Sequence, residues 1–446
     1  MNYLPNTDRD RQEMLKTIGV KSIDELFADI PPALRMKRPL NLPPGMSEQE
    51  LQKHMRELAA ENKNLTEYAC FIGAGAYDHF VPAVVRHVLA RSEFYTAYTP
   101  YQPEVSQAVL QSIFEYQTMI CELTGMDAAN ASMYDGASAA AEAVTIAAGL
   151  TRRKVALVSR TVHPETRETI RTYAAGHGID VREIPMKGGI TSVEDLKGML
   201  GPDVACVVVQ HPNFFGCLEP VREVSGLAAA QGATLIASVN PLSLGILEPP
   251  GEYGAEIVVG EGQPLGNPLA FGGPYLGILA VRNKYLRRMP GRLVGMTKDV
   301  RGQRGFVLTL QTREQHIRRE KATSNICSNE ALNALAAVVY LTWLGKEGLK
   351  ELALLCAKKA RYLRERIAGI KGFEISFSAP VWNEFAVKCP VDPEKIVNSL
   401  LDRKILAGYP LGRAYPELKD HLLIAVTEKR TRQEMDALVS GLEGLV

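Results

Sequence analysis

The sequence predicts an α/β fold in which a mostly parallel sheet is covered by helices on both faces, followed by a smaller α+β domain. Apolar, β-branched runs typical of buried strands alternate with helical stretches between about residue 105 and residue 281. The predicted strands are residues 155–159, 181–184, 204–210, 234–239, 257–260 and 277–281. The predicted helices between them include residues 165–175, 193–200 and 221–231.

The pattern changes on either side of this region, which divides the chain into three predicted parts. After about residue 345 come a long amphipathic helix (348–367), short strands at 373–377, 384–388 and 422–426, and a last helix from Thr431. Before it, Thr7 with Asp10 and Ser22 with Glu25 resemble capping boxes, and a helix is predicted over 46–62. The predicted domains are 1–65, a helical segment with a Pro-rich arm; 66–345, the large α/β domain; and 346–446, the small α+β domain. The arm, residues 31–44, is expected either to wrap a partner subunit or to act as a solvated connector.

Composition excludes several classes of function. The 446 residues are 46% hydrophobic and 23% charged with a net charge of +1, which favours a soluble globular protein with neither nucleic acid nor a membrane surface as its partner. Seven scattered cysteines without a CxxC pair indicate reduced thiols and a cytoplasmic location. The most apolar stretch, residues 331–344, is too short to cross a bilayer. No His, Cys, Asp or Glu group has metal-ligand spacing, so no metal site is expected.

A Gly-rich loop between the last two predicted strands lacks a residue that its setting leads one to expect. Residues 255–281 read AEIVVGEGQPLGNPLAFGGPYLGILAV, and many enzymes that use pyridoxal phosphate (PLP) place their Schiff-base lysine in such a loop. Gln263 stands there instead. An amide nitrogen cannot form an imine, because its lone pair is in resonance, whereas a deprotonated lysine amine can.

Further features of a PLP site are present only in part. The turn at Gly136 and Ser138 begins an Ala-rich helix whose free N–H groups would suit a phosphate, or it is a plain helix start packed on the sheet. His163 follows a strand where a ring often stacks on PLP, or it simply begins a helix. The strand 234–239 is where an Asp would hold the pyridine nitrogen protonated, and it offers only Ser238 and, just beyond it, Asn240. Missing lysine and aspartate together indicate a degenerate site.

Two other segments are candidate binding surfaces. Residues 95–107, YTAYTPYQPEVSQ, hold many hydrogen-bonding side chains on a path that two prolines make rigid. The candidate catalytic contributions across an interface are Tyr98, Tyr101, Gln102 and Glu104; the alternative is a turn packed by its tyrosine rings. Thr323, Ser324 and Asn325 precede a buried helix and are candidates to reach a neighbouring subunit's phosphate.

Six motifs in order identify a resemblance. FIGAGAYDHFVP, TAYTPYQPEVSQ, ANASMYDGASAAAEA, VVVQHPNFFG, GEGQPLGNPLAFGGPYLG and REKATSNICS, after the lead YLPNTDRDRQEML, resemble the glycine cleavage system P-protein family along essentially the whole chain. The resemblance is to the α half of its two-subunit form, in which Gln replaces the PLP lysine.

The resemblance implies a function and an assembly. It implies the fold of type I PLP enzymes and an α2β2 assembly in which the partner β subunit binds PLP covalently and this chain does not. It implies decarboxylation of glycine, release of carbon dioxide, and transfer of the aminomethyl group to the lipoyl arm of the H-protein. On this interpretation Gly136, Ser138, His163 and Gln263 are vestiges of a cofactor site.

Two alternatives stay open at this point. A self-sufficient PLP lyase or decarboxylase would need another lysine, and Lys284, Lys298 and Lys321 are the nearest in sequence to the Gly-rich loop, although none lies on a strand-end loop of that kind. A non-catalytic scaffold or regulator is the other alternative.

Overall fold

The computed structural model describes residues 6–446, so the first five residues, including the start of the YLPN lead, lie outside it. The chain divides into two compact units, one ending at Lys63 and the other comprising Asn64–Val446. The predicted domain boundary between residues 345 and 346 lies within the second unit and stays a prediction.

The first unit contains little buried surface. Its α-helices are α1 (Asp8–Ile18) and α2 (Glu48–Ala60), with a 3₁₀ turn at Ile23–Phe27. The Thr7 capping box forms, because the N–H of Asp10 donates to the Thr7 hydroxyl and the N–H of Thr7 donates to the Asp10 carboxylate. The box predicted at Ser22 does not form, since the Glu25 carboxylate accepts from the N–H of Lys21 instead. Leu15 is the only buried side chain among the unit's described residues.

The second unit alternates helices and strands. Its strands are β1 (Ala69–Cys70), β2 (Ala128–Ala129), β3 (Val155–Ser159), β4 (Asp180–Ile184), β5 (Met186–Lys187), β6 (Ile190–Thr191), β7 (Val204–Gln210), β8 (Thr234–Val239), β9 (Ile257–Glu261), β10 (Gly277–Val281), β11 (Leu293–Lys298), β12 (Arg304–Thr309), β13 (Glu374–Ile375), β14 (Glu384–Lys388), β15 (Ile405–Leu406), β16 (Tyr409–Pro410) and β17 (His421–Ala425). Its α-helices are α3 (Ala83–Leu89), α4 (Ser92–Tyr95), α5 (Gln107–Thr124), α6 (Gly136–Thr151), α7 (Pro164–His177), α8 (Val193–Met199), α9 (Val221–Ala230), α10 (Gln315–Arg318), α11 (Ala331–Ala368), α12 (Pro393–Leu401) and α13 (Arg432–Glu443).

A seven-stranded sheet with the order β2-β10-β9-β8-β7-β3-β4 forms the centre of the second unit. Strands β9, β8, β7, β3 and β4 are parallel, while β10 runs antiparallel to both of its neighbours. Alternate side chains enter different cores: Val207 of β7 lies in one hydrophobic cluster and Val208 in the other. Strands buried on both faces read as continuous apolar runs, which is why β3, β7, β8, β9 and β10 were predicted nearly to the residue. The two-residue edge strand β2 was not predicted.

Helices cover the two faces in different ways. The Ala-rich α6 packs on one face, and its small side chains permit a close approach to the strands. Helices α5, α9 and the first part of α11 contribute to the core of the other face. The long helix α11 is interrupted at Gly345, whose φ of 60° and ψ of −179° are not helical. The helix predicted at 348–367 is therefore the second part of a longer element.

A smaller antiparallel sheet with the order β13-β14-β17-β16 lies near the carboxyl end of the chain. It shares a core with the second part of α11 and with α12 and α13, through side chains such as Phe385, Leu400, Ile424 and Leu438. Strands β11 and β12, which the sequence did not predict, form a separate antiparallel hairpin that follows β10 and precedes α11 along the chain. Among the described residues, no helix is both long enough and apolar enough to cross a membrane.

Candidate functional site

A cavity of about 400 Å³ lies at the carboxyl ends of the parallel strands. The loops that follow β3, β7, β8 and β9 reach it, as does the start of α6. Its polar lining residues include Asp135, His163, Glu165, Thr166, Gln210, Ser238, Asn240 and Glu261. Ligands of α/β proteins bind at this edge of the sheet, so we call it the central cavity and treat it as the candidate site.

Gln263 is buried beside the central cavity, where its amide is fully engaged by the backbone. Only 1% of the residue is exposed. Its Oε1 accepts from the N–H of Tyr77 at 3.0 Å, and its Nε2 donates to the carbonyl oxygens of Tyr77 at 3.0 Å and Asn267 at 2.8 Å. Both the oxygen and the nitrogen of the amide thus make hydrogen bonds, and Gln263 links the Gly-rich loop to the segment 73–77.

The start of α6 is already occupied by a carboxyl group of the chain itself. The N–H of Gly136 donates to the carboxylate of Glu261 at 3.0 Å, and the same carboxylate accepts from the N–H groups of Gln263 and Leu276 at 2.9 and 3.0 Å. The N–H of Ser138 donates to Asp135, which closes a capping box. Because two of the N–H groups at the helix start have internal acceptors, the turn that suited a phosphate is occupied by carboxylates.

Glu261 lies so close to this turn that only glycine fits opposite it. A Cβ on Gly136 would meet the backbone N of Glu261 and the carbonyl carbon of Gly260 at 2.9 Å. Burial raises the pKa of Glu261 to about 7, while the three N–H donors oppose that shift. The contact therefore depends on glycine at the first residue of the helix.

His163 forms part of the cavity wall, but its ring is tied to the protein. Its Nε2 lies 2.8 Å from the carbonyl oxygen of Ala74, and its Nδ1 accepts from the N–H of Glu165 at 3.2 Å. The ring makes an edge contact with Phe214. Desolvation lowers its pKa, which favours the neutral imidazole. His163 thus begins α7 and holds the segment 73–77 against the sheet.

The segment 73–77 is fixed from a second direction by Glu384 of β14. The carboxylate of Glu384 accepts from the N–H of Ala74 at 2.7 Å and from the hydroxyl of Tyr77 at 2.8 Å. A Cβ on Gly73 would clash with this carboxylate. Burial raises the pKa of Glu384 to about 7. Through Glu384, the small sheet therefore holds in place the segment that forms part of the cavity wall.

The residues of the central cavity do not fit PLP. Among the described residues that line it, none is a lysine or an arginine, so neither an imine nor an ion pair to a phosphate is available. The carboxyl end of β8 offers Ser238 and Asn240 in place of a carboxylate, and the side chain of Asn240 accepts from the N–H of Leu242. The helix start that would bind a phosphate is bonded to Glu261 instead. Lys284, Lys298 and Lys321 are exposed and outside the cavity.

The segment 95–107 lies on the surface. Tyr98 is 87% exposed, and Gln102 and Glu104 are exposed as well. Tyr101 is partly held, because the guanidinium of the buried Arg292 donates to its hydroxyl at 3.2 Å and lies over its ring. The tyrosine rings do not pack together as a core would, and the role of these four residues at an interface stays a prediction.

The segment 323–325 presents only part of its polar surface to solvent. Thr323 and Asn325 are exposed, whereas the Ser324 hydroxyl donates to the carboxylate of Glu142 at 2.7 Å and accepts from the N–H of Ile326. Burial raises the pKa of Glu142 to about 7. Thr323 and Asn325 therefore remain the accessible candidates for contact with a neighbouring subunit.

Several residues of the site were not predicted. Glu261 was detectable as the last charged side chain before a long uncharged stretch at a strand end. Glu384 gave no signal, because it meets Ala74 across 310 residues of sequence.

His79, Cys356 and Glu428 also come together, with ligand atoms within 4.8 Å of one another. The His79 ring bonds directly to the Glu428 carboxylate at 2.7 Å, and we interpret the group as an internal polar network.

Comparisons with known proteins place the chain in a family. The sequence pattern of the glycine cleavage system P-protein matches residues 1–442. The probable glycine dehydrogenase (decarboxylating) subunit 1 of Carboxydothermus hydrogenoformans is 60% identical, and the alignment covers 100% of both chains. The protein of the same name from Desulfitobacterium hafniense is 56% identical over 99% of both chains.

Solved structures agree on the fold. A crystal structure of glycine decarboxylase (P-protein) of the glycine cleavage system, in inhibitor-bound form, is 45% identical with a TM-score of 0.93 and covers 100% of both chains. A NifS-like protein, 14% identical, matches with a TM-score of 0.63 over 85% of this chain and 99% of its own. The second of these shows the fold alone, which is that of fold type I PLP-dependent enzymes. The chain belongs to the glycine cleavage system P-protein family.

Proposed function

We propose that this chain is the first subunit of a two-subunit glycine decarboxylase. With its second subunit it removes the carboxyl group of glycine as carbon dioxide and transfers the aminomethyl group to the lipoyl arm of the H-protein. The observation that carries the proposal is the full-length identity of 60% to a relative named as subunit 1 of glycine dehydrogenase (decarboxylating). Self-sufficient catalysis is not favoured, since the central cavity has no lysine among its lining residues.

We propose further that PLP is bound by the second subunit. PLP supplies an electron sink that stabilises the charge left on a substrate carbon when a bond is broken. Gln263 and Glu261 support this assignment. Gln263 stands where a PLP enzyme would have its lysine, and Glu261 is bonded to the helix start that would bind the phosphate. Both side chains are held there by hydrogen bonds to the backbone. An α2β2 assembly would give each cofactor a contribution from this chain.

The contribution of this chain is to complete the site of its partner. The accessible side chains of Tyr98, Gln102 and Glu104 are the candidates for contact with the reacting groups, and Thr323 and Asn325 are the candidates for contact with the cofactor's phosphate. All five residues are exposed in the chain by itself, as a contact supplied to a partner requires.

Reconstitution tests the proposal directly. We expect glycine-dependent exchange of labelled bicarbonate only when this chain, its second subunit, PLP and lipoylated H-protein are combined. Borohydride treatment of the assembled enzyme should fix PLP to a lysine of the second subunit alone. Exchange activity from this chain without its partner, or a stoichiometric adduct on one of its own lysines, would contradict the proposal.

A further inference from the structure

The tip of the Gly-rich loop between β9 and β10 presents a phenylalanine to solvent. Phe271 is 96% exposed, the highest value for any aromatic side chain among the exposed hydrophobic residues of the described chain. The next residue, Gly272, lines the central cavity, as does Tyr275. The loop carries no charged residue, since none occurs between Glu261 and Arg282. Phe271 therefore stands uncovered at the mouth of the candidate site.

The backbone of Phe271 is strained. Its φ is +50° and that of Gly272 is +100°, and the N–H of Gly273 donates to the carbonyl of Ala270 at 3.1 Å. Positive φ at both central residues of a four-residue turn is the pattern of the type I′ turn, which strongly favours Asn-Gly. A bulky aromatic residue is disfavoured in this region. Strain of this kind persists where the surroundings enforce it, and it marks binding sites.

The base of the loop is held firmly, so that the tip is presented in a defined place. The side chain of Asn333, on α11, donates to the carbonyl oxygens of Pro274 at 3.2 Å and Tyr275 at 2.7 Å. In the part of the loop that precedes the tip, the side chain of Gln263 donates to the carbonyl oxygen of Asn267. At Gly266 a Cβ would meet the Cβ of Tyr340 at 2.7 Å, so this part of the loop is pressed against α11. An aromatic ring on a rigid support loses little conformational entropy when it becomes buried.

We propose that Phe271 is an aromatic anchor that inserts into an apolar pocket of the second subunit, beside the mouth of the central cavity. The inference rests on the proposed function, which supplies the partner, and it assigns one side chain to that interface. Anchors of this type carry a disproportionate share of binding energy in protein interfaces. Burial of the ring in the assembled enzyme explains why Phe271 has a strained backbone and why its side chain is exposed in a loop without charged residues.

The test separates the ring from the turn. Phe271→Asn gives the turn the residue that it favours and removes the ring, so we expect the melting temperature of the chain to be unchanged or higher. The dissociation constant for the second subunit, measured by sedimentation velocity, should rise about 30-fold or more. Leu355→Gln, which removes a half-exposed apolar side chain from α11, is the matched control and should leave assembly unchanged.

A tryptophan at the same position reports burial directly. The chain has two tryptophans, of which Trp382 is buried and Trp343 is 54% exposed. Phe271→Trp should therefore add an exposed fluorophore whose emission shifts to shorter wavelength when the second subunit is added. The proposal is overturned if Phe271→Asn assembles as tightly as the wild type, if the control weakens assembly equally, or if the tryptophan emission does not shift. A wild-type chain that fails to bind the second subunit at all would instead overturn the proposed function.

Discussion

At the scale of single residues, three buried carboxyl groups make the stability of the chain depend on pH. Burial raises the pKa of Glu142, Glu261 and Glu384 to about 7. Between about pH 4.5 and about pH 7, the folded chain holds a proton on such a group that the unfolded chain has already released. The free energy of unfolding therefore falls as pH rises through this window, by up to about 1.4 kcal/mol per pH unit for each group.

Glu384→Gln should remove this pH dependence at one site. Glutamine resembles the protonated carboxyl and can still accept from the N–H of Ala74. We expect the variant to match the wild type at about pH 5 and to be more stable than it at about pH 8. Thermal melts across this range provide the measurement, with the exposed Glu347→Gln as control. A stability difference that does not grow with pH would show that Glu384 is ionised throughout.

Gln263→Lys should destabilise the chain without giving it a cofactor. The substitution removes the acceptor of the Tyr77 N–H and buries an amine among backbone carbonyls, at a cost of about 2–4 kcal/mol. Incubation with PLP and borohydride should yield no stoichiometric adduct at residue 263. Denaturant unfolding gives the stability change, and the exposed Gln303→Lys should leave it nearly unaltered. A specific adduct at residue 263 would be the contrary result.

At the scale of elements, the start of α6 is defined by a close contact rather than by its capping residue alone. Gly136→Ala should lower the free energy of unfolding by about 1–3 kcal/mol, because the added methyl group meets the backbone at Gly260 and Glu261. Gly226→Ala, within α9 where nothing lies within 4 Å of an added Cβ, should raise it by about 0.4–1 kcal/mol. Equal effects of the two substitutions would refute the contact.

The exposed segment 95–107 should affect catalysis rather than folding. Tyr98→Phe and Gln102→Ala each remove a polar group that makes no hydrogen bond to the described chain, so we expect normal melting and normal assembly. The exchange rate should fall, by as much as ~10²–10³ if the lost bond forms only in the transition state. Tyr95→Phe is the control. Wild-type rates for both variants would mean that the segment has no role in the reaction.

Most of the central sheet could be predicted from the sequence, whereas the site could not. The predicted bounds of strand β7 match the observed ones because every residue from Val204 to Val209 is buried, and a buried strand has a continuous apolar composition. The hairpin of β11 and β12 was missed because it is only partly buried and lacks such a run. Gln263 marked the degenerate site, but its bonds to Tyr77 and the contact of Glu384 with Ala74 link residues far apart in sequence.

At the scale of the whole molecule, the first unit exposes much apolar surface. Leu34, Leu40 and Leu42, in the Pro-rich arm, are 76%, 62% and 72% exposed. Patches of this kind mark interaction sites or aggregation-prone surfaces. We expect the chain alone to self-associate as its concentration rises, and co-expression with the second subunit to give a single heteromeric species in sedimentation. A stable, monodisperse monomer of the chain alone would argue against a wrapping arm.

The carboxylate of Glu261 at the start of α6 also bears on how this chain can evolve. Binding of PLP at the central cavity of this chain would require a lysine at residue 263, a carboxylate on β8 and the removal of Glu261 from the helix start. Each change taken singly breaks backbone hydrogen bonds or leaves an unpaired buried group, so each first step lowers stability and gains no activity. Single substitutions therefore do not lead from this chain to an independent PLP enzyme, because every intermediate is less stable than the starting chain and is no more active.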